Sequence, residues 1–255
     1  MAIANGADAP PTSPPRRARR PWWRAVLVAL LLVVGVAVAW SYLVPRPSGI
    51  TGAPSPTPTP TPSPTPSIPQ IARQEVWTSD TPSTGEYRSN TVTLEPATVN
   101  ERVVDYVVKV ESSVDIDPDE AARSIQATLD DPRGWAGYGR TSFRAVTAET
   151  DTTLSIYLAA PDSAQKLCAP ADIARKWNCR VGDDVILNTD RWLYMTPTYD
   201  DLAEYRAYLV NHEVGHYLGQ GHAPCPGEGK KAPVMMQQSI SLDGCLRNAW
   251  PRESD

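Results

Sequence analysis

Positive charge is in short supply in this chain: 24 Lys and Arg stand against 29 Asp and Glu over 255 residues, a formal net charge of −5 with a pI near 5.3. A nucleic-acid surface needs a basic patch or stripe, and the balance leaves no such footprint, so nucleic acid is excluded as a partner. The one basic cluster, Arg16-Arg17-Ala18-Arg19-Arg20, lies immediately before an apolar run and is explained by membrane topology. No internal repeat is visible, which excludes the repeat architectures. Histidine is scarcer than either charge. Three occur in the whole chain, so any site built on imidazole is confined to them.

What is present is unevenly spread. The first seventy residues hold the basic stretch, the apolar run and most of the 26 prolines. The rest, roughly 185 residues, suits one compact domain with a core of its own. Residues 25–44 are uncharged and largely apolar; as a helix they span ~30 Å, the thickness of a bilayer's hydrocarbon core. Trp22 and Trp23 stand at one end and Trp40 and Tyr42 at the other, where amphipathic rings prefer the membrane interface. The arginines predict a cytoplasmic basic tail over 1–24, one transmembrane anchor over 25–44, and everything later outside the cell. A cleaved signal peptide is the rival, since Ala37-Val38-Ala39 resembles a cleavage site, but the run exceeds the ~7–15 residues of a signal core. Both readings export the domain.

Residues 45–70 alternate proline with serine and threonine. This composition predicts a semi-rigid polyproline II linker that holds the following domain, 71–255, up to ~80 Å from the membrane at ~3.1 Å per residue. In an oxidising compartment the four cysteines are expected in disulfides rather than as metal thiolates. Three pairings are open, and proximity favours Cys168–Cys179 with Cys225–Cys245.

The globular part reads as α+β. Val104, Tyr106, Val108 and Val110 alternate with Asp105, Lys109 and Glu111, the period of a half-buried strand. Asp117-Pro118-Asp119-Glu120 is a helix start with Ala122, Ile125 and Leu129 on one face, ended by Asp131-Pro132. Strands are expected over 143–148, 154–160 and 184–188, and a long helix over 199–218 with Leu202, Tyr205 and Leu209 on one face. An irregular tail follows. Residues 71–100 read equally as a lead-in strand or as a segment covering the site.

Residues 212–222 read His-Glu-Val-Gly-His-Tyr-Leu-Gly-Gln-Gly-His and contain every histidine of the chain. Histidines four apart on a helix lie on one face about 6 Å apart along the axis, close enough to share an ion. Gly219 can take the positive φ that ends a helix cheaply, after which the chain can double back and deliver His222. Three protein ligands, His212, His216 and His222, leave a fourth tetrahedral position to water, the arrangement of a catalytic Zn2+ site. Zinc lowers the pKa of such a water towards ~7. Glu213, beside the first ligand, is placed as the general base.

This stretch resembles the long zinc signature of the metzincin clan of metallopeptidases. The resemblance implies a zincin-like fold: a small mixed sheet, an active-site helix and an irregular C-terminal subdomain. It also implies a methionine turn beneath the metal, assigned to Met235 in Pro233-Val234-Met235-Met236-Gln237, with Met236 as the alternative. At motif level it covers about 211–251. The whole chain is similar to membrane-anchored metzincin-like proteins of actinobacteria with a Pro/Thr linker and a Cys-Pro after the third histidine. Two departures stand out: Ala223 follows the third histidine, where several families carry a marking residue, and Gln237 and Gln238 occupy positions where some relatives have a tyrosine. The expected activity is zinc-dependent hydrolysis of peptide bonds outside the cell. Two alternatives stand beside it: hydrolysis of cell-wall peptide crosslinks, and a non-catalytic, zinc-stabilised wall- or partner-binding module.

Overall fold

The computed structural model describes residues 68–147, 149 and 153–253. The expected tail and anchor, and the linker up to residue 67, lie outside the described residues. Among the described residues no helix is long and apolar enough to cross a membrane.

The architecture is α+β, with an open, mixed sheet of six strands. The longest strand, β2 (Arg102–Glu111), is its axis. Its first half pairs in parallel with β3 (Thr141–Ala145), and its second half pairs in parallel with β4 (Leu154–Ala159). The short strand β1 (Tyr87–Ser89) runs antiparallel to the end of β2. Beyond β4 lie β6 (Asp184–Asn188), parallel to it, and β5 (Cys179–Val181), antiparallel to β6 at the sheet edge.

The expected alternation in β2 is met at Val104, Tyr106, Val108 and Val110, all buried. Glu111 departs from it. It is fully buried, and its carboxylate accepts from Thr84 N at 2.6 Å, Gly85 N at 2.9 Å, Ala160 N at 2.7 Å and Ser163 Oγ at 2.7 Å. A carboxylate can be buried when its lone pairs are filled by donors in this way; it ties the lead-in segment to the start of the helix after β4.

Helix α1 (Pro118–Asp130) forms as its residues dictate. Asp117 Oδ1 accepts from Glu120 N at 2.9 Å, proline occupies the first turn, and Ala122, Ile125 and Leu129 are fully buried. Two short helices, α2 (Pro161–Leu167) and α3 (Thr189–Tyr194), were not marked by periodicity, being too short to show it. Helix α4 (Leu202–Tyr217) falls inside the expected 199–218 and is capped by Asp201, whose side chain accepts from Glu204 N.

The two faces of the sheet are covered differently. On one, α1, α4 and the C-terminal segment share a core with Val185 and Leu187 of β6 and with β2, β3 and β4. On the other, α2 packs with Ile186, Cys168 and Ile173. Helix α4 is not amphipathic as Leu202, Tyr205 and Leu209 suggest: every residue from Ala207 to Gly215 is buried. It runs between the sheet and the C-terminal segment, so polar residues on it must find partners inside the protein.

Both disulfides follow the proximity pairing. Cys168–Cys179 joins the end of α2 to the edge strand with a Cα–Cα distance of 6.0 Å, and Cys225–Cys245 closes the C-terminal segment at 5.9 Å.

Candidate metal centre

Helical geometry puts His212 and His216 one turn apart on α4, with ring centroids 4.8 Å apart. The helix then stops within two residues. Gly219 has φ +86°, its N–H donates to His216 O at 3.1 Å, and Gln220 N donates to Gly215 O at 2.9 Å. This pair of bonds is the Schellman arrangement, which a residue with a Cβ enters only with strain. The reversal brings His222 back to ring centroids 4.7 Å from His216 and 5.3 Å from His212. One ligand atom from each of the three histidines lies within 4.8 Å of the others.

The far nitrogens of the two helical histidines are held by carbonyls: His212 Nδ1 faces Val234 O and His216 Nδ1 faces Gln220 O, each at 2.8 Å. A ring nitrogen facing a carbonyl carries the proton and donates it, so Nε2 is the atom through which each ring would ligate an ion. His216 Nε2 and His222 Nε2 stand 3.1 Å apart. Two nitrogens bound tetrahedrally to one zinc at 2.0–2.1 Å are separated by roughly 3.4 Å, so this spacing suits a shared ion. Burial, reinforced by the other two histidines, pushes the His212 imidazole down to about 3, and burial with His216 pushes His222 down as well. Both are then neutral at pH 7, the form that ligates. Imidazole nitrogen suits zinc along with copper, iron and nickel, and three protein nitrogens are a ligand set found at catalytic zinc. On donor type, tautomer and spacing, the residues fit the metal.

Glu213 points from the same helix into the same cleft. It is buried, its Oε2 has no hydrogen-bond partner, and burial pushes its carboxyl up to about 8. A buried carboxylate oxygen without a donor is costly. Unlike Glu111, this acid is not consumed by the fold.

The floor beneath the histidines comes from the C-terminal segment. Ala223 N donates to Met235 O at 3.1 Å, tying the third histidine's loop to it. Met235 packs into the main core against α4, whereas Met236 packs with Ala232, Cys225 and Cys245. Met235 is therefore the one under the helix. A Cβ on Gly215 would lie 2.4 Å from Met235 Sδ and 2.8 Å from Trp135 Cζ2. The Trp135 ring cannot easily give way, because its Nε1 donates to Asn211 O at 2.8 Å. Gly215→Ala gains ~1 kcal/mol of helix propensity but incurs an overpacking cost of ~1–3 kcal/mol. The expected result is a net loss of stability, with weaker zinc binding as Met235 is displaced. Denaturant unfolding and zinc titration check both, and an unchanged or raised midpoint would contradict the packing argument.

The residues that hold this floor in place carry no sequence signal. Tyr208 OH donates to Met236 O and accepts from Gln238 N, both at 2.9 Å. Gln238 is fully buried: its Oε1 accepts from Tyr199 OH and Asn248 N, and its Nε2 donates to Asn248 O. Gln238 is thus an internal strut, while Gln237 is exposed and lines the cleft. Cys225–Cys245 closes this segment over a separation of 20 residues. Replacing both cysteines by alanine is expected to cost ~3 kcal/mol in the chain-entropy model, and to weaken zinc retention because Met236 packs on the bridge. Thermal unfolding with metal analysis of the double variant measures this; unchanged zinc content would separate the bridge from the site.

The cleft over the three histidines has a volume of ≈ 640 Å³. It is lined by Ile173, Trp177, Asn178 and Arg180 of the disulfide-tied stretch and by Gln237, Ser239 and Ile240 of the C-terminal segment. No residue of 71–100 lines it; the three-residue β1 is the strand in that segment.

Residues 78–249 match the family described as protein of unknown function (DUF3152), and the chain belongs to that family. No curated protein and no solved structure shows a significant match.

Proposed function

We propose that this member of the DUF3152 family is a metzincin-like, zinc-dependent endopeptidase that hydrolyses peptide bonds outside the cell. The observation that carries the reading is the convergence of His212, His216 and His222 ligand atoms within 4.8 Å in a cleft, beside the buried carboxyl group of Glu213, whose Oε2 has no hydrogen-bond partner. His212, His216 and His222 are the ligands, and Met235 is the methionine turn that supports them from below. When bound, zinc supplies a Lewis acid that polarises a carbonyl and makes hydroxide available near neutral pH.

The chain's own residues do the rest. In its ionised form, Glu213 takes a proton at Oε2 from the attacking water as the water oxygen bonds to the peptide carbon. It then hands that proton to the leaving amine nitrogen as the C–N bond breaks. Val234 O and Gln220 O hold two imidazoles in the tautomer that presents Nε2. The cleft is open to solvent rather than enclosed, which suits a peptide segment better than a small, fully buried ligand. Two disulfides and no free cysteine among the described residues support an oxidising, extracellular location. Anchoring through 25–44 is part of the same proposal.

The test is metal analysis of the purified chain joined to a digest of peptide libraries, casein and wall fragments, run on wild type and on a Glu213 variant. Zinc uptake with hydrolysis that depends on Glu213 supports the reading. Protein that takes up no metal at neutral pH ends it, and cleavage of wall fragments alone moves the substrate to wall crosslinks.

A further inference from the structure

We propose that Arg180 sets specificity in the cleft by receiving an acidic side chain of the peptide substrate; this rests on the peptidase reading above. The placement follows from strand pleating. In β5, Cys179 stands opposite Ile186 and Arg180 opposite Val185. Directly opposed residues on paired strands point to the same face, and successive residues to opposite faces. Ile186 belongs to the cluster under α2, and Val185 to the core shared with α4. Cys179 is bonded to Cys168 at the end of α2, which pins the strand's pleat. Arg180 must therefore project on the side of α4, and it lines the cleft with the three histidines.

Arg180 is the one Lys or Arg among the cleft-lining residues. Elsewhere in the domain Arg133, Arg144, Arg175 and Arg247 all hold ion pairs. The Arg180 side chain is exposed and holds no ion pair, hydrogen bond or ring contact among the described residues. The cleft offers two acids. Glu213 is buried at the histidines, and Asp172 is turned to its own loop, where Oδ1 accepts from Ala174 N at 2.8 Å. A guanidinium on an open wall with no internal carboxylate is complementary to a carboxylate on the substrate.

The experiment uses the full-length, zinc-loaded chain and fluorogenic decapeptide mixtures in which one position at a time is fixed as Glu, Gln or Lys. Glu and Gln differ in charge at nearly equal shape. At one position Glu should exceed Gln in kcat/KM by roughly 5-fold, the scale of a solvent-exposed charge pair, and the ratio should fall as salt is raised. Arg180→Ala should bring the ratio to about 1 and Arg180→Glu should favour Lys, as expected for a rim charge pair. A second arm measures binding of the same peptides, fluorescein-labelled, to the zinc-loaded Glu213→Ala variant by anisotropy, where turnover plays no part. Hydrolysis with the same Glu-to-Gln ratio in wild type and both Arg180 variants overturns the role of Arg180 and leaves the peptidase intact. Arg180-dependent discrimination in binding without hydrolysis by wild type sinks the peptidase and keeps the charge recognition. Neither hydrolysis nor binding overturns both.

Discussion

Glu213→Gln is expected to lower peptide hydrolysis by about 10²- to 10⁴-fold, the usual contribution of a positioned general base, while zinc content should stay at the wild-type level. The two effects separate because Glu213 is not one of the clustered ligands. Its neighbour His212 is held independently, through Nδ1 on Val234 O. Glutamine keeps the shape and removes the ability to accept a proton. The folding cost runs the other way. Glu213 is a buried acid whose Oε2 has no donor, so a neutral amide relieves a desolvation cost rather than breaking a bond. The metal-free variant should therefore unfold at the wild-type midpoint or above it. A purely structural role for Glu213 predicts the opposite: lower stability, with activity falling in step. Steady-state kinetics, metal analysis and thermal unfolding of one preparation decide between them. Activity within tenfold of wild type would remove Glu213 from the mechanism.

His222→Ala is expected to lose zinc. Of the three histidines, His222 is the most exposed and comes from the loop beyond α4, so its removal takes the least from the core. His212, by contrast, is buried in contact with Tyr208, and changing it would mix folding with binding. The affinity loss should exceed the ~10–100-fold seen when a residue that merely supports a ligand is changed. Thermal unfolding gives a second readout. At zinc concentrations near 1,000 times Kd, binding to the folded state alone adds ~4 kcal/mol, which for a domain of this size is a rise of roughly 8–16 °C. Wild type should show that rise on adding zinc and lose it to a chelator. His222→Ala should show little of it, with a metal-free midpoint close to wild type. Equal zinc affinity in variant and wild type would show that the three rings do not share an ion.

Much of the fold was legible because its signals are local. The alternation of β2, the Asp117-Pro118 start of α1 and the Asp201 cap of α4 each depend on residues a turn or a pleat away. The disulfide pairing was legible for a related reason: short separations of 11 and 20 residues. Helices α2 and α3 were missed because they are too short to show a period; at Glu111 and along α4 the cause of the departure was a distant neighbour. Glu111 sits at a position that alternation reads as solvent-facing, yet four donors from residues 84, 85, 160 and 163 make its burial possible. Leu202, Tyr205 and Leu209 suggest one apolar stripe, but the C-terminal segment covers the other side of α4 as well.

The same division runs through the candidate site. The amino-acid sequence by itself determined which three imidazoles meet, since their meeting needs a helical period of four residues, a glycine able to take positive φ and a short return. It also determined that Glu213 stands beside them. Only the tertiary structure decided what the site rests on and what it faces. Met235 rather than Met236 lies under the helix because Gly215 leaves room for its sulfur. Gln238 became a strut because Tyr199, Tyr208 and Asn248 converge on it. Arg180 lines the same cleft as the histidines because β5 pairs it with Val185, on the sheet face opposite the Cys168–Cys179 bridge. Ligand geometry along one helix and its turn is a short-range property of the backbone, whereas support and access depend on segments far apart in the chain meeting in space.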